Sequence, residues 1–147
     1  MNHEDHQEET LHVGSGEFRM TKQRRVVYDV LLDQRDHPTA QEVYSRAKRR
    51  MPGISLATVY NCLDTMAQAG VVKQVNVARD ATRFCPNLRP HAHFLCARCG
   101  EVLDVDLKPT ADATLAWAMP EGASVEHLEV AMRGLCPTCA SQPAQLV

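Results

Sequence analysis

Ten residues in the second half of the chain combine two kinds of metal-binding side chain. His91 and His93 stand two positions apart, and the pair Cys96 and Cys99 follows directly. Alternate residues of a β-strand point to the same face, so both imidazoles can reach one ion. Thiolates spaced Cys-x-x-Cys are typical of zinc knuckles. The stretch therefore predicts two metal sites of different chemistry close together in the chain.

A second Cys-x-x-Cys pair, Cys136 and Cys139, completes a set of four thiolates with Cys96 and Cys99. Four thiolates suit tetrahedral Zn²⁺ and leave no open position, which predicts a structural zinc site. The alternative is a pair of thiol redox motifs. A thioredoxin-like motif belongs to a βαβ unit, whereas the first pair here lies between two strand-like segments. Structural zinc is therefore the preferred interpretation.

Charge is distributed unevenly along the 147 residues, although the net charge is only −2. Residues 1–17 carry five acids and no Lys or Arg, residues 18–84 carry twelve Lys or Arg against six acids, and residues 85–147 carry four against seven. A basic middle segment is what a phosphate-binding surface needs. No stretch approaches the roughly 18 apolar residues of a membrane helix. Residues 1–6 lack the apolar region of a signal peptide, so we expect a cytoplasmic protein without a membrane partner.

Three helix starts followed by a hairpin organise the first half of the chain. Thr21, Thr39 and Ser55 are predicted helix N-caps, and Thr39 opens a capping box. Segments 71–77 and 82–85 predict two strands joined by a turn. Three helices and a hairpin are the order of a winged helix.

Beyond residue 85 the pattern predicts a small mixed α/β region. Strands are expected at Phe94–Leu95 and Val102–Val105, around the first Cys-x-x-Cys turn. A helix is expected over Thr110–Ala118 and a further strand over Ser124–Met132. The expected fold class is α+β.

Taken together, the motifs resemble the ferric uptake regulator family. The residues that carry the resemblance are Pro38-Thr39-Ala40, Ser55-x-x-Thr58-Val59-Tyr60-Asn61, Gly70-x-Val72, Arg83-Phe84, His91-x-His93-Phe94-x-Cys96-x-x-Cys99-Gly100 and Cys136-x-x-Cys139. The resemblance covers nearly all of the chain from Thr21 to Cys139. It implies a repressor, not an enzyme, that binds a palindromic duplex operator as a metal-loaded homodimer and has no small-molecule substrate.

The resemblance also implies how the chain is divided. We expect a flexible lead-in over 1–17, a winged-helix DNA-binding domain over 18–85, a hinge over 86–90, a zinc-stabilised dimerisation domain over 91–140 and a tail over 141–147.

Five residues of this chain occupy the positions of the family's regulatory metal site: His37, Cys85, His91, His93 and Asp104. The peroxide-sensing branch is expected to have a carboxylate at position 85, whereas the zinc-sensing branch has a cysteine there. A thiolate with imidazoles suits Zn²⁺, and carboxylate-rich sets suit Mn²⁺ or Fe²⁺. We therefore favour Zn²⁺ as the regulatory metal. An Fe²⁺- or Mn²⁺-dependent peroxide sensor remains the alternative, because His37 and the wing spacing are closer to that branch.

Three of these donors also have simpler interpretations. His37 could be an exposed loop histidine, Cys85 a small buried apolar residue, and Asp104 an ordinary acid at a strand edge.

The DNA-contacting residues are also assigned by resemblance. The third helix would enter the major groove, with Tyr60 and Asn61 facing the bases and Ser55 and Thr58 near its start. Phosphate contacts are expected from Arg19, Lys22, Arg24, Arg25 and the basic cluster at 46–50. The alternative is that these cations form a solvated face without a partner.

Three possible functions outside the family, two of them enzymatic, compete with this hypothesis. A zinc hydrolase would need an open coordination position and a nearby Glu base, and no His-Glu-x-x-His pattern is present in the sequence. A thiol oxidoreductase would need the cysteine pairs to cycle through disulfides. The third possibility is a zinc-stapled interaction module without a DNA role, which a salt-dependent gel shift would distinguish.

Overall fold

The structure, a computed structural model, describes residues 9–13, 16–76, 81–108, 117–126 and 128–143. The chain forms two compact units, Met1–Leu88 and Arg89–Val147. The boundary between them falls inside the segment 86–90. That this segment acts as a hinge stays a prediction.

The first unit is built on three helices and two hairpins. Its elements are β1 (Glu9–Val13), β2 (Gly16–Met20), α1 (Lys22–Gln34), α2 (Ala40–Arg50), α3 (Leu56–Gln68), β3 (Lys73–Val75) and β4 (Arg83–Cys85). The predicted N-caps are confirmed: the side-chain oxygens of Thr21, Thr39 and Ser55 each accept a hydrogen bond from the backbone amide three residues later. The helices enclose a core that includes Val27, Val30, Leu31, Val43, Val59, Leu63 and Met66.

The hairpin at the N-terminal end of this unit was not expected from the sequence. Strands β1 and β2 pair antiparallel, with Leu11 opposite Phe18. Phe18 and Met20 are buried in the core, and Leu11 and Val13 pack against it. Residues 9–13 and 16–17 thus belong to the folded unit rather than to the flexible lead-in predicted for them. The apolar positions alternate on both strands, so one face of the hairpin can cover the helices.

The second hairpin confirms the winged-helix order. Strands β3 and β4 follow α3 and pair antiparallel, with Val75 opposite Arg83. The strands are shorter than predicted, because Val71 and Val72 precede the pairing and are buried in the helical core.

The second unit has a three-stranded sheet in the order β6-β5-β7, followed by a short helix. Its elements are β5 (His91–Cys96), β6 (Val102–Asp106), β7 (Ala131–Gly134) and α4 (Pro137–Ser141). Strand β5 pairs antiparallel with β6 and parallel with β7. The α+β fold class is confirmed. None of the helices in the described ranges is long and apolar enough to cross a membrane.

One strand predicted for the second unit has the wrong bounds, and one predicted helix falls mostly outside the described residues. The strand predicted over Ser124–Met132 begins only at Ala131 and continues to Gly134. Pairing with β5 selects this register, and a Cβ on Gly134 would lie 3.2 Å from the Phe94 ring, so any larger residue there would require the ring to shift. The helix predicted over Thr110–Ala118 lies mostly outside the described residues, and residues 117 and 118 are not helical.

Candidate metal centres

Four thiols converge in the second unit. The Sγ atoms of Cys96, Cys99, Cys136 and Cys139 all lie within 4.8 Å of one another, and those of Cys99 and Cys136 are 3.9 Å apart. At a Zn–S distance of about 2.3 Å, tetrahedral geometry separates two sulfurs by about 3.8 Å. All four are free thiols, and a disulfide would need about 2.05 Å. The cluster therefore has the composition and size of a closed zinc site.

Backbone amides donate hydrogen bonds to sulfur atoms of this cluster, and such bonds favour the thiolate form. The Cys136 amide donates to Cys96 Sγ at 3.3 Å and is the main reason that the pKa of Cys96 is lowered to about 6. The side-chain hydrogen bond with Cys136 is the main reason that the pKa of Cys139 is raised to about 12. A dication would displace the shared protons, since metal binding requires deprotonated thiols.

Arg98 ties the two Cys-x-x-Cys pairs together. It lies between Cys96 and Cys99, and its Nη1 donates to the carbonyl of Cys139 at 2.6 Å and to that of Gln142 at 3.4 Å. These carbonyls lie at the end of α4, where a cation is favoured by the helix dipole. Arg98 was not predicted from the sequence, because the spacing of the cysteines carries no information about what joins the pairs.

Three donors converge on the sheet of the same unit. His91 and His93 occupy one face of β5, and Asp104 is the direct partner of His93 on β6. The two Nε2 atoms are 3.0 Å apart, and Asp104 Oδ1 lies 3.3 Å from His91 Nε2 and 3.4 Å from His93 Nε2. Donors bound at about 2.1 Å are separated by about 3.0 Å in octahedral and about 3.4 Å in tetrahedral geometry. The triangle therefore has the size of one face of a metal coordination shell.

Two further predicted donors meet in the first unit. The segment after α1 runs beside β4: Thr39 and Arg83 form an isolated antiparallel bridge, and Arg83 Nη1 donates to the His37 carbonyl at 3.2 Å. The ligand atoms of His37 and Cys85 lie within 4.8 Å of each other. His37 is 3% exposed and Cys85 1% exposed, so the exposed-loop interpretation of His37 is wrong.

Helix α3 presents two of its predicted DNA-contacting residues to solvent. Tyr60 is 45% exposed and Asn61 is exposed as well. Ser55 and Thr58 are engaged at the start of the helix, where Ser55 Oγ accepts from the Thr58 amide and lies 2.8 Å from Thr58 Oγ1. Cys62 is buried on the opposite face, where it serves packing.

The arginines expected to contact phosphate are partly engaged within the first unit. Arg25 forms ion pairs with Glu9 and Asp29. Arg24 donates to the Arg19 carbonyl at 2.8 Å, which leaves its remaining guanidinium donors for other partners.

The basic cluster at the end of α2 is also partly neutralised. Arg46 forms a two-pronged ion pair with Asp36, with distances of 2.8 and 2.7 Å, and this hydrogen bonding lowers the pKa of Asp36. Arg50 forms an ion pair with Asp33. The cluster thus contributes less positive charge than its sequence alone indicates.

Residues 15–133 match the sequence profile of the Ferric uptake regulator family. A peroxide-responsive repressor PerR from Staphylococcus aureus is 30% identical over 122 residues, 83% of this chain and 82% of that protein. Among solved structures, a Campylobacter jejuni peroxide stress regulator is 33% identical with a TM-score of 0.65, covering 80% of this chain and 88% of its own. A zinc uptake regulator complexed with zinc and DNA is 25% identical with a TM-score of 0.63, covering 83% of each chain.

Proposed function

Because this chain belongs to the ferric uptake regulator family, it is a metal-responsive, DNA-binding transcriptional repressor, and we propose that Zn²⁺ is the ion it senses. The members of this family are regulators rather than enzymes, which sets aside the hydrolase and the thiol oxidoreductase. We also propose that the protein acts in the cytoplasm, where its operator DNA would lie.

The regulatory ion is bound by His37, Cys85, His91, His93 and Asp104 in this proposal. The observation that carries it is the triangle of His91, His93 and Asp104, whose edges of 3.0–3.4 Å match donors around one ion. His37 and Cys85 are supported as the other half because they are buried and their ligand atoms lie close together.

The preference for Zn²⁺ follows from Cys85. A soft thiolate beside imidazoles favours Zn²⁺, whereas carboxylates and water favour Mn²⁺. With Cys85 in place of a carboxylate, the set contains three imidazoles, one thiolate and one carboxylate. Such a set binds Zn²⁺ more tightly than Mn²⁺.

A second, structural Zn²⁺ belongs to the four-cysteine cluster. Its donors are all thiolates with nearly tetrahedral spacing, so no position is left for a substrate or a sensed ligand. This ion stabilises the second unit, whose described residues include few buried apolar side chains.

Metal controls DNA binding in this proposal by joining donors from two units. The ion links the first unit, which carries α3, to the second unit, through which two chains form a homodimer on a palindromic operator. Without the ion, the hinge 86–90 lets the spacing between the α3 helices of the two protomers vary. The free energy needed to fix that spacing then lowers the affinity for DNA. Tyr60 and Asn61 read base edges, and the exposed cations contact phosphate.

Peroxide sensing is the second candidate function. Relatives from Staphylococcus aureus and Campylobacter jejuni are named as peroxide regulators, and they are 30% and 33% identical to this chain over the aligned residues. Fe²⁺ bound beside Cys85 would expose the thiolate to oxidation.

The site is tested by replacing His91 and His93 together with Ala. We expect metal-dependent binding of operator DNA to be lost while the structural zinc and the fold remain. Operator affinity is measured by fluorescence anisotropy with and without added Zn²⁺, and zinc content by elemental analysis. Equal operator affinity of the variant and the wild type in both conditions would overturn the site.

The metal is tested by titrating operator binding with Zn²⁺, Mn²⁺ and Fe²⁺, each with and without hydrogen peroxide. A zinc sensor binds operator at the lowest free Zn²⁺ concentration and keeps binding after peroxide. A peroxide sensor binds with Fe²⁺ or Mn²⁺, and its Fe²⁺ form releases DNA after peroxide.

A further inference from the structure

The His91 ring forms a hydrogen bond with the backbone that precedes it. Its Nδ1 lies 2.5 Å from the carbonyl oxygen of Arg89, two residues earlier. A carbonyl oxygen can only accept, so Nδ1 carries the proton in this contact. A neutral imidazole has one ring proton, and Nε2 is therefore left with its lone pair. That Nε2 is the atom that faces His93 and Asp104.

Pro90 restricts the peptide that presents this carbonyl. The proline ring holds φ at about −65°, and the residue before a proline is kept in extended conformations. The backbone torsion angles on both sides of the Arg89–Pro90 peptide are therefore restricted. This restriction also limits the direction in which the Arg89 carbonyl can point. Pro90 is exposed, so burial of its ring in a core does not account for it.

We propose that Pro90 is a positioning residue of the regulatory site: it aims the Arg89 carbonyl at His91 Nδ1, and so presents Nε2 to the ion. The inference rests on the proposed function, since it concerns the same metal. It adds that the backbone of segment 89–91 belongs to the site. Partners that hydrogen-bond to the outer nitrogen of a metal-bound histidine change metal affinity by about 10–100-fold.

This arrangement gives the predicted hinge a direct part in sensing. Metal at His91 Nε2 favours the tautomer that donates to Arg89, and that hydrogen bond holds residues 89–91 in one conformation. The effect is reciprocal, so a backbone that is already held in this conformation binds metal more tightly.

The test compares Pro90→Gly with Leu88→Gly in the full-length protein with its structural zinc in place. Both changes add a glycine to the predicted hinge, but Leu88 contributes no atom to the Arg89–Pro90 peptide group, and Leu88 is 46% exposed. One readout is the His91 tautomer, observed by long-range ¹⁵N–¹H NMR correlation of the imidazole before regulatory metal is added. The other is Zn²⁺ affinity of the regulatory site, measured by competition with a fluorescent chelator.

We expect the wild type and Leu88→Gly to show His91 protonated at Nδ1, and Pro90→Gly to lose this preference. Pro90→Gly should weaken Zn²⁺ binding by about 10–100-fold, and Leu88→Gly by less than about threefold. The inference is overturned if wild-type His91 is protonated at Nε2, or if the two glycine variants weaken binding equally. A His91→Ala variant with unchanged Zn²⁺ affinity would instead reject the proposed site, whatever the tautomer.

Discussion

The cysteine centre and the histidine centre share strand β5, but they collect their donors differently. All four cysteines lie within the second unit, and backbone amides donate to their sulfurs. The histidine centre has three donors in the second unit, His91, His93 and Asp104. The two others proposed for it, His37 and Cys85, belong to the first unit.

If the proposed five donors bind one ion, this difference separates stabilisation from switching. A site that is complete within one unit contributes its binding free energy to the folding of that unit. A site whose donors come from two units contributes part of its binding free energy to holding them in one arrangement, which a change in metal concentration can reverse. Four predictions test this contrast.

The largest effect is expected from removing the structural zinc. Replacing Cys96 and Cys99 together with Ser should abolish zinc binding at the cluster and unfold the second unit, because structural zinc sites contribute roughly 10–16 kcal/mol of apparent binding free energy. Zinc content and amide NMR signals of the second unit measure this. Cys62→Ala is the control, since it removes a buried thiol from the first unit without touching the cluster. A double variant that kept a folded second unit would contradict the structural role.

The next effect concerns the choice of metal. Cys85→Asp should weaken regulatory Zn²⁺ binding by about tenfold or more, equivalent to about 1.4 kcal/mol, and improve binding of Mn²⁺ relative to Zn²⁺. With Co²⁺ as the probe, the thiolate-to-metal absorption band of this site should disappear, while that of the four-cysteine cluster remains. If the Co²⁺ spectrum and Zn²⁺ affinity do not change, Cys85 is only a buried apolar residue.

The third prediction concerns the contribution of Arg98 to zinc retention in the four-cysteine cluster. Arg98→Ala removes the hydrogen bonds to the carbonyls of Cys139 and Gln142. At this partly exposed position, losing the hydrogen bonds destabilises the zinc-bound cluster by about 1 kcal/mol. The rate at which an excess of chelator removes zinc should therefore rise about fivefold. Arg98→Lys keeps the charge but loses the planar guanidinium whose Nη1 reaches both carbonyls, and it should be intermediate. Unchanged release from Arg98→Ala would show that the thiolates alone set the rate.

The smallest effect is expected at the support of the first-unit donors. Arg83→Ala removes the hydrogen bond to the His37 carbonyl and should weaken regulatory metal binding by about threefold, while zinc in the four-cysteine cluster is unchanged. Arg50→Ala is the control, because its ion pair with Asp33 lies at the surface and should leave metal affinity unaltered. Loss of zinc from the four-cysteine cluster of the Arg83 variant would mean that the two metal centres are not independent.

Local signals in the sequence predicted the structure well wherever one short segment decides the outcome. Thr21, Thr39 and Ser55 cap helices because a hydroxyl meets an amide three residues away, whatever surrounds it. The N-terminal hairpin was missed because its strands gain stability by covering the helical core. The last strand was misplaced because its register depends on pairing with β5 and on the Phe94 ring beside Gly134.

The sequence by itself determined the kinds of donor available: four thiols in two pairs, two histidines at strand spacing, and a cysteine at position 85. These follow from residue identity and local spacing. Only the tertiary structure decided which donors meet. His37 lies beside Cys85 because the segment after α1 bridges to β4 about 46 residues later, and Asp104 faces His93 because of the register between β5 and β6. Pairing between distant segments depends on the whole packed unit, and local propensity does not encode it.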